Sequence, residues 1–106
     1  YINVVDLNEA HIKALVYLEN NKESQIINLG TGSGNSVREV VNKVQEITNV
    51  EFDLKQSDPR EGEYSTMIAD IKKAKEILNW EPKRTLDDSV NSLVKWYEGH
   101  RNGWEK

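Results

Sequence analysis

Apolar residues return along this chain at two spacings, and the changes from one to the other mark its elements. Val37, Val40, Val41, Val44 and Ile47 recur at steps of three and four, which on a helix places five apolar side chains on one face. Ser36 precedes them as an N-cap, and Glu39 stands where its side chain can reach back to close a capping box. Just upstream, Ile26, Ile27 and Leu29 lead into Gly30, Gly32 and Gly34. The apolar run predicts a strand and the glycines a sharp turn into the helix. After the helix, Val50, Phe52 and Leu54 alternate with Glu51, Asp53 and Lys55, the period-two pattern of a half-buried strand. Strand, helix, strand predicts a βαβ unit with parallel strands and a right-handed crossover.

Three further helices flank this unit. Tyr1, Ile2, Val4 and Val5 are extended in character; Asp6 then reads as an N-cap with Glu9 at the boxed position, opening a helix to about Asn20. Its inner face holds Leu7, Ala10, His11, Ala14 and Leu18. Ile12, Leu15 and Val16 widen that face, so the helix is expected to be covered on more than one side. Asn20, Asn21 and Lys22 end it in a polar turn. Residues 64–69 fit a short extended piece. Asp70 caps a third helix with Ile71, Ala74, Ile77 and Leu78 inward, stopped by Pro82 after Trp80. Thr85 caps the fourth with Asp88 at the boxed position; Leu86, Val90, Leu93, Val94 and Tyr97 form its buried stripe, and Gly99 and Gly103 break it. Trp80, Trp96 and Trp104 read as core or edge packing. The fold class is therefore α/β, a short βαβ unit with about four helices.

Length and composition narrow the functions open to such a fold. A chain of 106 residues is one domain with a modest core. Fourteen basic against eighteen acidic residues leave a net charge of -4 without a basic cluster, which disfavours nucleic acid. The absence of cysteine excludes a disulfide framework and a thiolate metal site and fits a cytoplasmic protein; two histidines as distant as His11 and His100 make zinc improbable. No apolar run is long enough for a membrane span, and none follows a basic start as a signal peptide would. A chain that opens on Tyr1 and runs straight into apolar residues reads as a piece of something longer or a processed product.

Candidate chemistry is sparse. The Gly30 to Gly34 run invites a phosphate-loop or dinucleotide reading, but its spacing fits neither Gly-x-Gly-x-x-Gly nor a loop ending in Gly-Lys-Ser/Thr, so it reads as a tight turn. His11, on an apolar stripe without an acid or nucleophile placed beside it, reads as a packed histidine. In the polar stretch 56–63, Pro59 fixes the backbone and Gly62 permits a sharp turn, so that Arg60 and Glu63 are held in defined positions. Two readings stand for that pair. They are solvated loop residues, or they clamp a phosphate through the guanidinium and a sugar diol through the carboxylate. No Ser-His-Asp or Cys-His constellation can be assembled, and the residues four after Tyr1, Tyr17, Tyr64 and Tyr97 are Val5, Asn21, Ile68 and Arg101, not lysine. Such a domain reads as one that grips part of a ligand while another domain performs the reaction.

The order of motifs carries a resemblance. Tyr1-Ile2-Asn3-Val4-Val5-Asp6-Leu7, then Asn28-Leu29-Gly30-Thr31-Gly32 leading to Ser36-Val37, then Pro59-Arg60-Glu61-Gly62-Glu63, then Asp70 with Ala74, Leu78, Trp80 and Pro82, together resemble the C-terminal part of the UDP-glucose 4-epimerases, in the extended short-chain dehydrogenase/reductase superfamily. The resemblance covers essentially the whole chain. It implies a two-domain enzyme that interconverts UDP-glucose and UDP-galactose. Its absent N-terminal Rossmann domain would hold NAD and the catalytic Tyr-x-x-x-Lys pair, and its smaller C-terminal region, residues 1–106 here, would grip the UDP-sugar. No catalytic or cofactor-binding residue of the family matches a position in this chain. Arg60 matches the arginine that holds the diphosphate, Glu63 the aspartate that meets the ribose, Val37 an apolar residue lining the uridine pocket, and Tyr1 a tyrosine beside the nucleotide. Glu63 is one methylene longer than the usual aspartate, and Asn3 replaces a frequent histidine. The resemblance further implies a homodimeric parent and a detached region that is inactive alone and self-associates through apolar surface. Another NAD-dependent nucleotide-sugar epimerase or dehydratase, or a non-enzymatic interaction domain, are the alternatives.

Overall fold

The structure is a computed structural model and describes residues 1–21, 23–58, 60–63 and 66–104. Four helices lie among them: α1 (Val4–Asn21), α2 (Val37–Thr48), α3 (Lys72–Leu78) and α4 (Leu86–Gly99). They pack as two pairs, α1 on α3 and α2 on α4.

Local chemistry sets their ends. Thr85 and Asp88 form a complete capping box, Thr85 Oγ1 accepting from the Asp88 N–H at 3.2 Å and Asp88 Oδ2 from the Thr85 N–H at 2.9 Å. Ser36 caps α2 by accepting the Glu39 N–H at 3.0 Å, but the Glu39 side chain takes the Asn35 amide at 3.1 Å, so that box forms only by half. Asp70 acts one residue upstream of the α3 N-cap, accepting the Lys72 N–H at 3.1 Å. Both α2 and α3 stop at an asparagine in the left-handed region, Asn49 at φ 54° and Asn79 at φ 52°. Apart from glycine, asparagine is the residue most often found there. α3 thus ends at Leu78, before Pro82 can act. α1 runs to Asn21, and Lys22, the last residue of the polar turn expected to end it, lies outside the described residues.

The start of α1 corrects the sequence reading. Asn3, not Asp6, opens the helix: its Oδ1 accepts the Val5 N–H at 2.9 Å and its carbonyl the Leu7 N–H at 3.1 Å. Asn3 is buried and also donates from Nδ2 to Ser89 Oγ on α4 at 3.0 Å. The β-branched Val4 and Val5 favour extended backbone as isolated residues, but a cap at Asn3 draws them into the first turn. Asp6 lies inside the helix with no solvent exposure.

The core lies between α1 and α3, where Ala10 and Ala74 let the helices approach, with Ile71, Leu78 and Trp80 filling the space around them. Trp80 is 1% exposed. With roughly 200 Å² of side chain at ~25 cal/mol per Å², its burial contributes about 5 kcal/mol. α3 has only seven residues and covers one side of α1. Ile12, Leu15, Val16 and Leu18 therefore remain exposed, and so does His11, whose Nδ1 lies 2.8 Å from the Leu7 carbonyl. Neither a helix covered on more than one side nor a packed histidine is found. On α4 Val90 is buried while Leu93 and Tyr97 are exposed; of the three tryptophans only Trp80 is core, since Trp96 stacks on His100 at 4.4 Å and Trp104 is 80% exposed.

The βαβ unit is not formed among the described residues. Segments 25–29 and 50–54 are not strands, and among the described residues no backbone–backbone hydrogen bond joins either to another segment. Apolar alternation marks the two faces of a strand but supplies no neighbouring backbone to pair with. Ile26, Val50, Phe52 and Leu54 are left exposed.

Candidate functional site

The loop around Arg60 closes on itself. Arg60 Nε donates to Glu63 Oε1 at 2.7 Å and the Arg60 backbone N–H to Glu63 Oε2 at 3.0 Å, while the Glu63 N–H returns to the Arg60 carbonyl at 3.2 Å. Gly62 makes this turn at φ +81°, a conformation that side chains resist. One carboxylate therefore holds both the backbone and the guanidinium of the same residue. The Arg60 side chain is 89% exposed and that of Glu63 44%. The two Nη groups of Arg60 make no hydrogen bond to the described residues and are available to an oxyanion. Pro59, expected to stiffen the loop, lies outside the described residues, as does Tyr64 at the start of the next stretch.

The other two candidates lie elsewhere in the contact pattern. Tyr1 is exposed and borders a mainly apolar cleft of about 240 Å³, floored by Val40, Leu86, Val90 and Leu93 and edged by Asn3, Thr31, Asn35 and Ser89. Val37 is exposed on the first turn of α2 and does not line that cleft. No hydrogen bond or ion pair among the described residues joins Arg60 or Glu63 to Tyr1 or Val37. The structure thus joins Arg60 and Glu63 by direct hydrogen bonds, places Tyr1 on the cleft and leaves Val37 off its lining.

The glycine turn does not fit a dinucleotide. A Cβ on Gly30 would sit 2.9 Å from the Ala69 Cβ, one on Gly32 3.2 Å from Ile71 Cδ1, and one on Gly34 3.1 Å from Ile68 Cδ1. The space that bare glycines leave is taken by residues 68–71 of the same chain.

The polar centre that sequence reading missed is structural. Asp6 accepts from the Lys83 and Arg84 backbone N–H groups at 3.0 and 2.9 Å and from Arg84 Nη1 at 2.6 Å, while its carbonyl accepts Trp80 Nε1 at 2.9 Å. Arg84 also reaches Glu9 at 3.3 Å. Burial alone would raise the Asp6 pKa, but the bonds from Arg84 and Lys83 outweigh it and hold the carboxyl below its ordinary value. The same partnership, led by the bond to Asp6, raises Arg84, and bonds to Asp87 and Glu46 raise Lys43 between α2 and α4. A signal existed in the sequence: Asp6 has an apolar helix on one side, and a carboxylate there needs a distant cation. Among the described residues no group of three or more His, Asp or Glu is placed to hold a metal, and no helix is long and apolar enough to cross a membrane.

No protein-family model matches the chain. A UDP-glucose 4-epimerase of Bacillus subtilis is 39% identical over 105 residues, 99% of this chain and 31% of that protein. A solved UDP-glucose 4-epimerase superposes with a TM-score of 0.93 at 38% identity, covering 100% of this chain and 32% of its own. A second, from Stenotrophomonas maltophila with bound NAD and formylated UDP-arabinopyranose, gives a TM-score of 0.89 at 32% identity over 95% of this chain and 30% of its own. The chain spans about a third of the length of the curated relatives it matches. Along its whole length, then, the chain is similar in sequence and in fold to the C-terminal region of the UDP-glucose 4-epimerases.

Proposed function

We propose that this chain is the nucleotide-gripping region of a cytoplasmic, NAD-dependent UDP-sugar 4-epimerase that interconverts UDP-glucose and UDP-galactose. The observation that carries the reading is the likeness over the full chain to enzymes of that name, one of which is solved with NAD and a UDP-sugar. Arg60 takes the diphosphate, Val37 and Tyr1 border the uridine, and Glu63 stands where the family's aspartate reaches the ribose. NAD and the acid-base pair belong to an N-terminal domain beyond these residues, which fits the glycine turn being filled by its own chain. NAD supplies reversible hydride acceptance at C4 of the sugar. The residues of this chain hold the nucleotide end still while that happens, and residues 1–106 act as one domain. The unpaired segments 25–29 and 50–54 take their sheet partners from the rest of the enzyme, which is a homodimer. The solved relative that binds a UDP-arabinopyranose derivative favours a second reading, in which the sugar is a pentose.

Magnitudes set the expectation for the isolated chain. One charge-assisted contact contributes about 1.5–3 kcal/mol, whereas even a millimolar complex needs about 4. An NMR titration with UDP is expected to give weak shifts at Arg60, Glu63 and Val37, at millimolar ligand or above, that disappear in Arg60→Ala. Shifts that persist unchanged in that variant, or epimerisation of UDP-galactose by the isolated chain, would refute the assignment.

A further inference from the structure

We infer that Glu63 is a positioning residue for Arg60: it aims the guanidinium at the diphosphate and is not itself the group that accepts from the ribose. The inference rests on the nucleotide-gripping function proposed above. Both carboxylate oxygens of Glu63 accept from Arg60, Oε1 from Nε at 2.7 Å and Oε2 from the backbone N–H at 3.0 Å, which fixes the carboxylate's orientation on its neighbour and leaves one lone pair on each oxygen. Arg60 has no other hydrogen-bond partner among the described residues, so at 89% exposure nothing else there restrains its four-bond side chain. A free arginine surrenders considerable rotamer freedom when it grips a phosphate. Glu63 removes part of that loss in advance by fixing Nε and leaving the two Nη groups for bidentate contact.

Side-chain length decides why this position is glutamate. The carboxylate must fold back across a four-residue turn closed by the Glu63 N–H on the Arg60 carbonyl and reach the Arg60 N–H and Nε together. Aspartate is one methylene shorter; in this chain Asp88 reaches back to the Thr85 N–H at 2.9 Å with one oxygen, where Glu63 uses one oxygen on the Arg60 N–H and the other on Nε. An aspartate in place of Glu63 would be freer to point at a ribose hydroxyl. The exchange of aspartate for glutamate therefore changes what the carboxylate does, from ligand contact to support of its neighbour.

The test compares UDP with uridine, which lacks the diphosphate, on the whole enzyme that carries this region. Glu63→Asp, Glu63→Gln and Arg60→Ala are each measured for binding of both ligands. Arg60 and Glu63 are exposed enough that the variants keep the fold, which thermal melting checks. The expected result is a three- to tenfold weaker UDP in both Glu63 variants with uridine unchanged, and no added loss when either is combined with Arg60→Ala. Equal weakening of UDP and uridine in Glu63→Gln, with Glu63→Asp restoring both, would place the carboxylate on the ribose and overturn the inference. Unchanged UDP binding in the Glu63 variants while Arg60→Ala weakens it would overturn it too. If Arg60→Ala leaves UDP binding intact, the nucleotide-gripping reading itself falls and this one with it.

Discussion

A carboxylate without solvent exposure is costly unless its lone pairs are used, and Asp6 uses its own on three donors from the 83–84 segment. With Trp80 donating to the Asp6 carbonyl, this one residue ties α1 to the link between α3 and α4. Asp6→Asn keeps the size but presents an amide N–H₂ to backbone donors, leaving at least one of them unpaired. The expected cost is about 3 kcal/mol, read as a lower urea midpoint at unchanged slope. The pH dependence has a definite sign. Because the folded pKa lies below the ordinary 3.8, the Asp6 contribution is fully present above that value and is lost as pH falls through the folded one. Wild type should lose stability on acidification below pH 3.8 more steeply than Asp6→Asn. Parallel acid curves for the two proteins would show that Asp6 is not a source of the acid sensitivity.

At the level of elements, the turn 30–34 shows what glycine is for in this chain. Gly30 lets the Ala69 segment pass within 2.9 Å of where a Cβ would stand, whereas Gly99, at the end of α4, has nothing within 4 Å of that place. Gly30→Ala is expected to cost about 1–3 kcal/mol through overpacking. Gly99→Ala should instead be neutral or stabilising by up to ~1 kcal/mol, since alanine narrows the unfolded ensemble and prefers helix. Equal effects in a thermal melt would mean that the 68–71 segment gives way and does not seal the turn. The contrast also separates what was legible from what was not. Helix existence and two caps, Ser36 and Thr85, follow from local hydrogen-bonding chemistry that sequence displays directly. The start of α1 is not legible locally, because Asn3 and Asp6 are equally good caps and burial against residues some eighty positions away decides between them. The Arg60–Glu63 pair was visible as a pair, since only Glu61 and the turn-forming Gly62 lie between them. The strands were not decidable, because a ladder is a property of two segments and their pattern describes one.

The molecule as a whole presents more surface than a domain of its mass retains. Its accessible area is 9138 Å², against about 6,000 Å² for a compact monomer of this size. Its radius of gyration is 17.2 Å, where about 13 Å is usual for such a length. The excess includes the outer face of α1 at Ile12, Leu15 and Val16, and the segment side chains Ile26, Val50, Phe52, Leu54, Met67 and Ile68. Exposed apolar groups on that scale seek cover, and for the isolated chain the available cover is another copy of itself. Sedimentation velocity on the isolated chain is therefore expected to show a weight-average mass that rises with concentration. Charged substitutions at Ile12 and Leu15, each more than 60% exposed, should lower that mass without lowering the melting temperature. A clean monomer at the highest attainable concentration would mean that the apolar segments find cover within the chain by rearranging. In that case the chain in solution would be more compact than 17.2 Å, which small-angle scattering would register as a radius nearer the ordinary value.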